Sequence, residues 1–290
     1  MWSVNGTVAK ILLDTSIPST RLSQLRVSAA FIVIFIILFV IRRHAIRITS
    51  RKEFGILALY GILGVTMTQW LYFVAIHLLP VGVALIIEFT APLMVALWVK
   101  FAWNHHVPAA AWVGLCIALS GLVLITEVWN GFSLDPLGVL ASVGAAAALA
   151  LYFLAGEKAL HGDVPRDSLS LTMWGFGFAT LFWAIFQPWW SFPWEFLVGD
   201  ALPWGASGTA VPYWALSLWM IVMGTVIPFW VALEAMKHIS SQAASATGMT
   251  EPVIASIVAW MVLGEILTGW QIIGGLVTLG GIAIAENSRR

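Results

Sequence analysis

The chain has 290 residues, of which 60% are hydrophobic and only 10% are charged, and its formal net charge is zero. A soluble domain carries charged side chains at about a quarter of its positions, so this composition excludes an ordinary soluble protein and predicts one that lies in lipid. The absence of net charge also argues against nucleic acid or another strongly polyanionic partner.

The apolar stretches, taken in chain order, predict about ten crossings of a bilayer. A membrane-spanning helix needs about 20 apolar residues, and polar residues or Pro and Gly separate the stretches. The predicted spans are 1–14, 23–41, 54–76, 80–102, 108–126, 135–156, 168–188, 212–235, 241–263 and 269–286. They are continuous apolar runs rather than the short alternating segments of a barrel strand. The predicted fold class is therefore an all-α integral membrane protein.

The first of these stretches is short for a spanning helix. If Lys10 is aligned with Lys158, the sixth stretch has roughly fifteen more residues upstream than the first. A helix rises about 1.5 Å per residue and must cross about 30 Å of hydrocarbon. We therefore expect that translation starts upstream of Met1 or that the first helix is truncated.

Basic residues favour one side of the predicted membrane. If both termini are cytoplasmic, the inner loops and ends hold Arg42, Arg43, Arg47, Arg51, Lys52, Lys100, Lys158, Arg166, Lys237, Arg289 and Arg290. Only Lys10, Arg21 and Arg26 are then predicted outside. This distribution satisfies the positive-inside rule, and it predicts a multi-pass protein of the inner or plasma membrane.

One offset of 160 residues relates the two halves of the chain without a gap. The paired positions are Thr90 and Thr250, Pro92 and Pro252, Gly64 and Gly224, Trp70 and Trp230, Ala84 and Ala244, Gly114 and Gly274, and Gly121 and Gly281. We interpret the pattern as a duplication with repeats at 1–126 and 135–286. Five helices per repeat is an odd number, so the second repeat enters the membrane from the opposite side. Such inverted repeats with Pro in matching helices are typical of secondary transporters.

Two carboxylates lie deep in predicted spans, where a charged group is costly and is a functional candidate. Glu88 is about nine residues into the fourth span and Glu251 about eleven into the ninth, and they differ by three residues in the repeat frame. We predict that both line a central cavity, where one binds an amine-bearing or cationic substrate and at least one exchanges a proton. A carboxyl group removed from water retains its proton more readily. The alternative is a protonated carboxyl group that is hydrogen-bonded to a neighbouring helix and holds the bundle together.

Each of these two helices also carries a proline that interrupts its hydrogen bonding. Pro92 and Pro252 each leave the carbonyl group four residues earlier without its helical partner. We predict that Thr90 and Thr250, two residues before each Pro, either cap these freed carbonyl groups or face the cavity.

Other side chains within the spans are weaker candidates for the same cavity. They are Asn5, Gln69, Trp70, Tyr152 and Trp230. For Asn5 and Gln69 the alternative is an ordinary hydrogen bond between helices. For the three aromatic residues, stacking on a planar or cationic substrate competes with the commoner role of packing or contact with lipid.

The longest predicted loop, 189–211, is rich in aromatic residues and Pro. We expect it to lie along the outer headgroup region, because Trp favours the interface; a lid over the outer mouth is the alternative. Glycines recur at helix-packing spacing in the third, fifth and tenth spans. They are Gly55, Gly61, Gly64, Gly114, Gly121, Gly274, Gly275, Gly280 and Gly281, and small residues of this kind permit close contact between membrane helices.

The sequence gives little support for a metal, a disulfide or an enzyme. Cys116 is the one cysteine, and the six His residues all fall at loops or helix ends. No His pair lies with a carboxylate deep in one span, and no Gly-Lys-Ser/Thr phosphate loop of a primary pump occurs. We therefore predict that the protein has no metal or other cofactor and is not an enzyme.

The matched positions resemble the EamA repeat of the drug/metabolite transporter superfamily. The second half reads Glu251-Pro252-Val253, then Leu263-Gly264-Glu265, and then Gly274 and Gly280-Gly281. The first half keeps Ala91-Pro92 and Gly114 with Gly121, but Asn104-His105 replaces the Gly-Glu pair. The opening helix, Trp2-Ser3-Val4-Asn5 with Lys10, is similar to the family's Trp-Gly-Ser-Asn pattern without its Gly.

The resemblance implies ten helices in two inverted EamA repeats, with a central cavity lined mainly by the first four helices of each repeat. It also implies a monomer or a homodimer formed through the Gly-rich fifth and tenth helices. We predict a secondary transporter, with proton-coupled efflux of a small metabolite, amino acid or drug by alternating access. Its partners are the small-molecule substrate and membrane lipid. The alternatives are an uptake carrier of the same fold, a membrane-embedded enzyme and a non-transporting scaffold subunit.

Overall fold

The structure is a computed structural model, and it describes residues 2–13, 15, 17–79, 81–127, 135–162, 165–201, 210–263 and 268–287. Its helices are α1 Trp2–Leu13, α2 Ser19–Ile41, α3 Arg51–Ala58, α4 Met67–Leu78, α5 Val81–Glu88, α6 Ala91–Phe101, α7 Ala109–Thr126, α8 Pro136–His161, α9 Ser168–Phe186, α10 Tyr213–Ile221, α11 Ile227–Ala235, α12 Ser241–Gly248, α13 Glu251–Leu263 and α14 Gly269–Asn287. Wider π-helical turns, Leu59–Thr66 and Val222–Val226, join α3 to α4 and α10 to α11.

The all-α membrane fold predicted from the sequence is confirmed. Among the described residues, seven helical segments are long and apolar enough to cross a membrane: Ser19–Ile41, Arg51–Leu78, Val83–Phe101, Ala109–Thr126, Pro136–His161, Ser168–Phe186 and Tyr213–Ala235. Of the other predicted spans, α1 has 12 residues, the ninth is divided into α12 and α13, and Gly269–Ala285 is a shorter apolar helix. By length and composition, therefore, the count of ten crossings is not confirmed.

The glycines of the fifth and tenth spans pack α7 directly against α14. A Cβ placed on Gly281 would lie 2.6 Å from the carbonyl oxygen of Gly114, and one on Gly274 would lie 2.7 Å from that of Gly121. The earlier glycine of α7, Gly114, therefore meets the later one of α14, Gly281, and Gly121 meets Gly274. The two helices run antiparallel. The Gly-rich faces are thus used within one chain, and a dimer through these helices would have to use their other faces.

Arg166 joins several segments at the end of the bundle where α2 ends and α9 begins. Its guanidinium donates to the Glu53 carboxylate, to the Ser170 hydroxyl at 3.0 Å and to the carbonyl oxygens of Ala45 at 2.9 Å and Arg47 at 3.3 Å. The residue is only 9% exposed. A buried guanidinium needs such partners, and here its partners come from α3, α9 and the connection after α2.

Replacing Arg166 by Met is expected to lower the free energy of unfolding by about 3 kcal/mol, because it leaves a partly buried carboxylate and several carbonyl groups without their donor. Thermal unfolding in detergent, followed by Trp fluorescence, measures the change. Arg42→Met is the matched control, since Arg42 is exposed and lies 3.5 Å from Asp167, a kind of pair that contributes little. Equal losses in the two variants would contradict the role given to Arg166.

The aromatic segment after α9 lies over the connection between α1 and α2. It contains short 3₁₀ turns, Trp189–Ser191 and Trp194–Val198, and a two-stranded ribbon of β1 Asp200–Ala201 and β2 Val211–Pro212. Phe192 is buried against Ile17 and Leu25. Arg21 donates to the carbonyl oxygen of Pro188 at 3.1 Å and to the hydroxyl of Ser191 at 2.7 Å. Residues 202–209 of the predicted loop lie outside the described residues.

Candidate functional site

The fourth and ninth predicted spans are each divided at the same point of the repeat. The first division lies between Glu88, where α5 ends, and Ala91, where α6 begins; the second lies between Gly248, where α12 ends, and Glu251, where α13 begins. These bounds obey the offset of 160. Pro92 and Pro252 are each the second residue of the helix that restarts, a position at which Pro removes no helical hydrogen bond. Both repeats therefore place a break in the same helix.

Thr90 and Thr250 use their hydroxyl groups within these breaks. The Thr90 hydroxyl donates to the carbonyl oxygen of Ile87 at 2.6 Å, and the Thr250 hydroxyl donates to that of Thr247 at 2.8 Å. The acceptor is thus one residue earlier than the carbonyl group that each Pro was expected to free. A hydroxyl group at the end of a helix reaches the carbonyl three residues back, so both Thr residues cap the last turn of their own helix.

Glu88 and Glu251 interact electrostatically across the bundle. Both side chains are half-buried, and the charge of Glu251 acts on Glu88. They lie on opposite sides of equivalent breaks, because Glu88 closes α5 whereas Glu251 opens α13. An acidic residue in the first turn of a helix interacts favourably with the helix dipole, so the two carboxylates have different surroundings although their helices correspond.

Two residues that the sequence analysis missed share this site. Tyr72 on α4 interacts with both carboxylates, and Arg26 on α2 interacts with Glu251. Arg26 is predicted on the outer side, but α2 begins at Ser19, so Arg26 lies two turns inside the helix. Tyr72 could have been found by its position three residues after Gln69, since residues at this spacing share a helix face.

Of the polar candidates, Gln69 and Asn5 are enclosed. The side-chain oxygen of Gln69 and that of Asn5 are buried, and neither accepts a hydrogen bond from any described residue. Asn5 is 7% exposed and lies against Gly224, which has no room for a Cβ. A buried polar group without a partner is costly, so both remain candidates for contact with a ligand or water.

The aromatic candidates are described by their exposure and their ring contacts. Tyr152 is 3% exposed and stacks on Tyr60 with ring centroids 5.3 Å apart. Trp70 is partly exposed and packs at 5.6 Å from Phe182 on α9. Trp230 is 39% exposed. For Tyr152 and Trp70, these neighbours support the packing alternative.

The π-helical turns place the third helix of each repeat against the first helix of the other. A Cβ on Gly64 would lie 3.1 Å from the Cα of Tyr152 on α8, and one on Gly224 would meet the side chain of Asn5 on α1. In each turn a Thr hydroxyl donates to the carbonyl oxygen five residues earlier, Thr66 at 2.9 Å and Thr225 at 3.0 Å. The contact between the repeats is therefore built twice, at the two glycines that the offset pairs.

The described residues do not form a metal site. In the ranges that the structure describes, no group of three or more His, Cys, Asp or Glu side chains is arranged to hold a metal ion. Gly264 and Glu265, which carry part of the sequence motif of the second half, lie outside the described residues.

A family model, that of the EamA-like transporter family, matches residues 1–127 and 136–286. The chain is 26% identical over 239 residues to the uncharacterized transporter YdfC of Bacillus subtilis, a match that covers 81% of this chain and 72% of the relative. It is 27% identical over 240 residues to the threonine/homoserine exporter RhtA of Salmonella typhimurium, over 78% of this chain and 70% of the relative.

A crystal structure of a protein with 19% sequence identity has the same fold. It superposes with a TM-score of 0.74 over 100% of this chain and 95% of that protein. At this identity the likeness establishes the fold alone.

Proposed function

Because this chain belongs to the EamA-like transporter family, whose model matches nearly its whole length, we propose that it exports a small amino-acid-like metabolite in exchange for protons. The protein is a multi-pass membrane transporter, and its family consists of transporters rather than enzymes. The observation that carries the proposal is that Glu88 and Glu251, which interact electrostatically, lie beside equivalent helix breaks.

The pair of carboxylates can couple the transport of the substrate to the transport of protons. Two carboxylates close together in a region of low dielectric constant repel each other when both are charged. The site is therefore stabilised by one added positive charge, which a proton or the ammonium group of a substrate can supply. Because the two compete for the same place, binding of a proton favours release of the substrate, and the cycle becomes an exchange.

The duplicated contacts support alternating access. Gly64 with Tyr152 and Gly224 with Asn5 form contacts between the repeats at glycines that the offset pairs, and Glu88 and Glu251 lie beside helix breaks that both repeats share. In transporters built from inverted repeats, rocking of one repeat against the other exposes a fixed site to each side in turn. We propose repeats at 1–126 and 135–286 as the two moving units.

The charge distribution and the named relatives support a proposal for the orientation in the membrane and for the direction of transport. The basic residues concentrate at one end of the bundle, where Arg42 lies near Asp167 and Arg166 bonds to Glu53. By the positive-inside rule this end is cytoplasmic, with both termini on the same side in the inner or plasma membrane. Relatives named as threonine/homoserine exporters favour an amino acid as the substrate and export as the direction.

Counterflow in proteoliposomes tests the proposal. Purified protein is reconstituted with an unlabelled compound inside, and uptake of the labelled compound is followed for each L-amino acid and for a panel of cationic drugs, with and without a pH gradient. We expect counterflow of at least one amino acid and a several-fold change in its accumulation when the gradient is imposed. Counterflow that ignores the gradient would contradict proton coupling, and none with any compound would favour a scaffold subunit.

A further inference from the structure

Arg26 is a cation deep inside an apolar helix. It lies seven residues after Ser19 in the candidate span Ser19–Ile41, which corresponds to a depth of about 10 Å from the end of the helix. Charged side chains inside a membrane are rare and costly, and they mark partner groups or substrate pathways. A guanidinium at this depth therefore needs polar partners, of which a carboxylate is among the strongest.

The surroundings of Arg26 differ from those of Arg21 on the same helix. Arg21 donates to Gln24, Pro188 and Ser191 at 2.7 to 3.1 Å. The Nε atom of Arg26, by contrast, is inaccessible to solvent, and no described residue accepts a hydrogen bond from it. Arg21 is thus bound by the outer aromatic segment, whereas the buried Nε–H group of Arg26 is available to donate a hydrogen bond to a ligand.

Three other ionisable groups reach the same layer of the bundle from different helices. Tyr72 lies six residues before the end of α4 and Glu88 seven residues after the start of α5, so both are about 10 Å from the same end as Arg26. That end is shared, because Trp70 on α4 stacks on Phe186 at the end of α9, and Arg21 near the start of α2 donates to the carbonyl oxygen of Pro188 just after α9. Glu251 interacts with Arg26, Tyr72 and Glu88.

Among the described residues, this layer therefore contains one guanidinium, two carboxylates and the phenol group of Tyr72. The two carboxylates alone would favour a simple cation. With a guanidinium beside them, the layer presents a positive and a negative group, which matches a ligand that carries both a carboxylate and an ammonium group. A guanidinium binds a carboxylate through two parallel hydrogen bonds, one of the stronger polar contacts in proteins.

Resting on the function proposed above, we infer that Arg26 is the specificity-determining residue that binds the substrate carboxylate, so that the site selects zwitterions over amines. The substrate ammonium group then faces the carboxylates Glu88 and Glu251. This replaces the amine-bearing or cationic substrate expected from the sequence with an α-amino acid or a compound of the same charge pattern.

Matched probes test this inference. The amino acid with the strongest counterflow is compared with its methyl ester, which keeps the ammonium group but loses the carboxylate, and with its decarboxylated amine. For the unmodified protein we expect both analogues to compete at least about 30-fold more weakly. Equal competition by the amine or the ester would overturn the inference even if no variant could be prepared.

Arg26→Gln should lose affinity for the amino acid by about 30-fold while its affinity for the amine changes less than about threefold, so that the preference disappears. Arg26→Lys should keep part of it, since an ammonium binds a carboxylate without the bidentate geometry. Arg21→Gln is the control and should keep the preference of the unmodified protein. If Arg26→Gln weakens amino acid and amine equally, Arg26 serves only as a structural counterion of Glu251 and the inference is wrong.

The outcomes separate this inference from the function on which it rests. Counterflow of amines without counterflow of any amino acid would overturn the inference and leave transport itself intact. Counterflow of no compound at all would contradict both, whereas a lost pH response with a kept zwitterion preference would contradict only proton coupling.

Discussion

Replacing both Glu88 and Glu251 by Gln is expected to abolish accumulation driven by a pH gradient while the protein still folds. Gln keeps the size and the hydrogen-bonding capacity of Glu but carries no charge and binds no proton, so the double variant has no group left to exchange protons at this site. Each single variant is expected to lose more than about tenfold of the gradient-driven rate, the usual cost of removing one member of a buried charged cluster. Initial uptake rates in proteoliposomes at equal protein content measure the change.

The single variants also distinguish the two carboxylates. A residue that only couples protons should, when replaced, leave substrate exchange in the absence of a gradient intact, whereas a residue that binds substrate should reduce both rates. Glu195→Gln is the control, because Glu195 is exposed on the outer aromatic segment. Full gradient-driven activity in the double variant would refute the proposed coupling site, and loss of folded protein in it would support a structural role for the carboxyl groups.

The sequence predicted those features of the fold that depend on local properties of the chain. The predicted span 108–126 corresponds to α7 at Ala109–Thr126, because the length of an apolar run and the punctuation by Pro and Gly are local signals. The same is true of the interruptions beside Pro92 and Pro252. Pro restricts the chain wherever it occurs, so its effect could be read without knowing which helices are neighbours.

Features that depend on how a helix is rotated about its axis could not be predicted in this way. Arg26 is within one turn of the predicted start of the second span at residue 23, whereas α2 begins at Ser19, and this shift changes an outer cation into part of the site. Tyr152 is placed in a stack with Tyr60 by packing between repeats. The direction of both side chains is set by contacts with distant helices, for which the sequence carries no periodic signal.

The contact between α7 and α14 is symmetric with respect to the two repeats. Gly114 meets Gly281 and Gly121 meets Gly274, and the offset pairs Gly114 with Gly274 and Gly121 with Gly281. Exchanging the two repeats therefore maps this contact onto itself, as a two-fold axis would. The antiparallel crossing of α7 and α14 is what two inverted repeats require, and it depends on glycine at all four positions, since backbone meets backbone there.

Replacing Gly281 by Leu is therefore expected to prevent the protein from reaching its folded state. Even a Cβ at this position would lie 2.6 Å from the carbonyl oxygen of Gly114 and 2.9 Å from the Cα of Ala118, distances at which backbone atoms must move apart. A leucine adds three more carbon atoms, so the helices must separate along their whole contact. Overpacking of this kind lowers the free energy of unfolding by about 3 kcal/mol or more. The effect is measured as the monodisperse fraction in size-exclusion chromatography and as the thermal unfolding midpoint.

The neighbouring Gly280 supplies the matched control. It is exposed, and a Cβ there meets no atom of the described residues within 4 Å, so Gly280→Leu should fold like the unmodified protein. Gly280→Ala should even be slightly more stable, by about 0.5–1 kcal/mol, because glycine is unfavourable in a helix. Gly121→Leu, at the position that the offset pairs with Gly281, should repeat the defect of Gly281→Leu. A folded, monodisperse Gly281→Leu variant would contradict the close crossing, and equal damage from Gly280→Leu would show that the tenth span tolerates no large residue for reasons other than contact with α7.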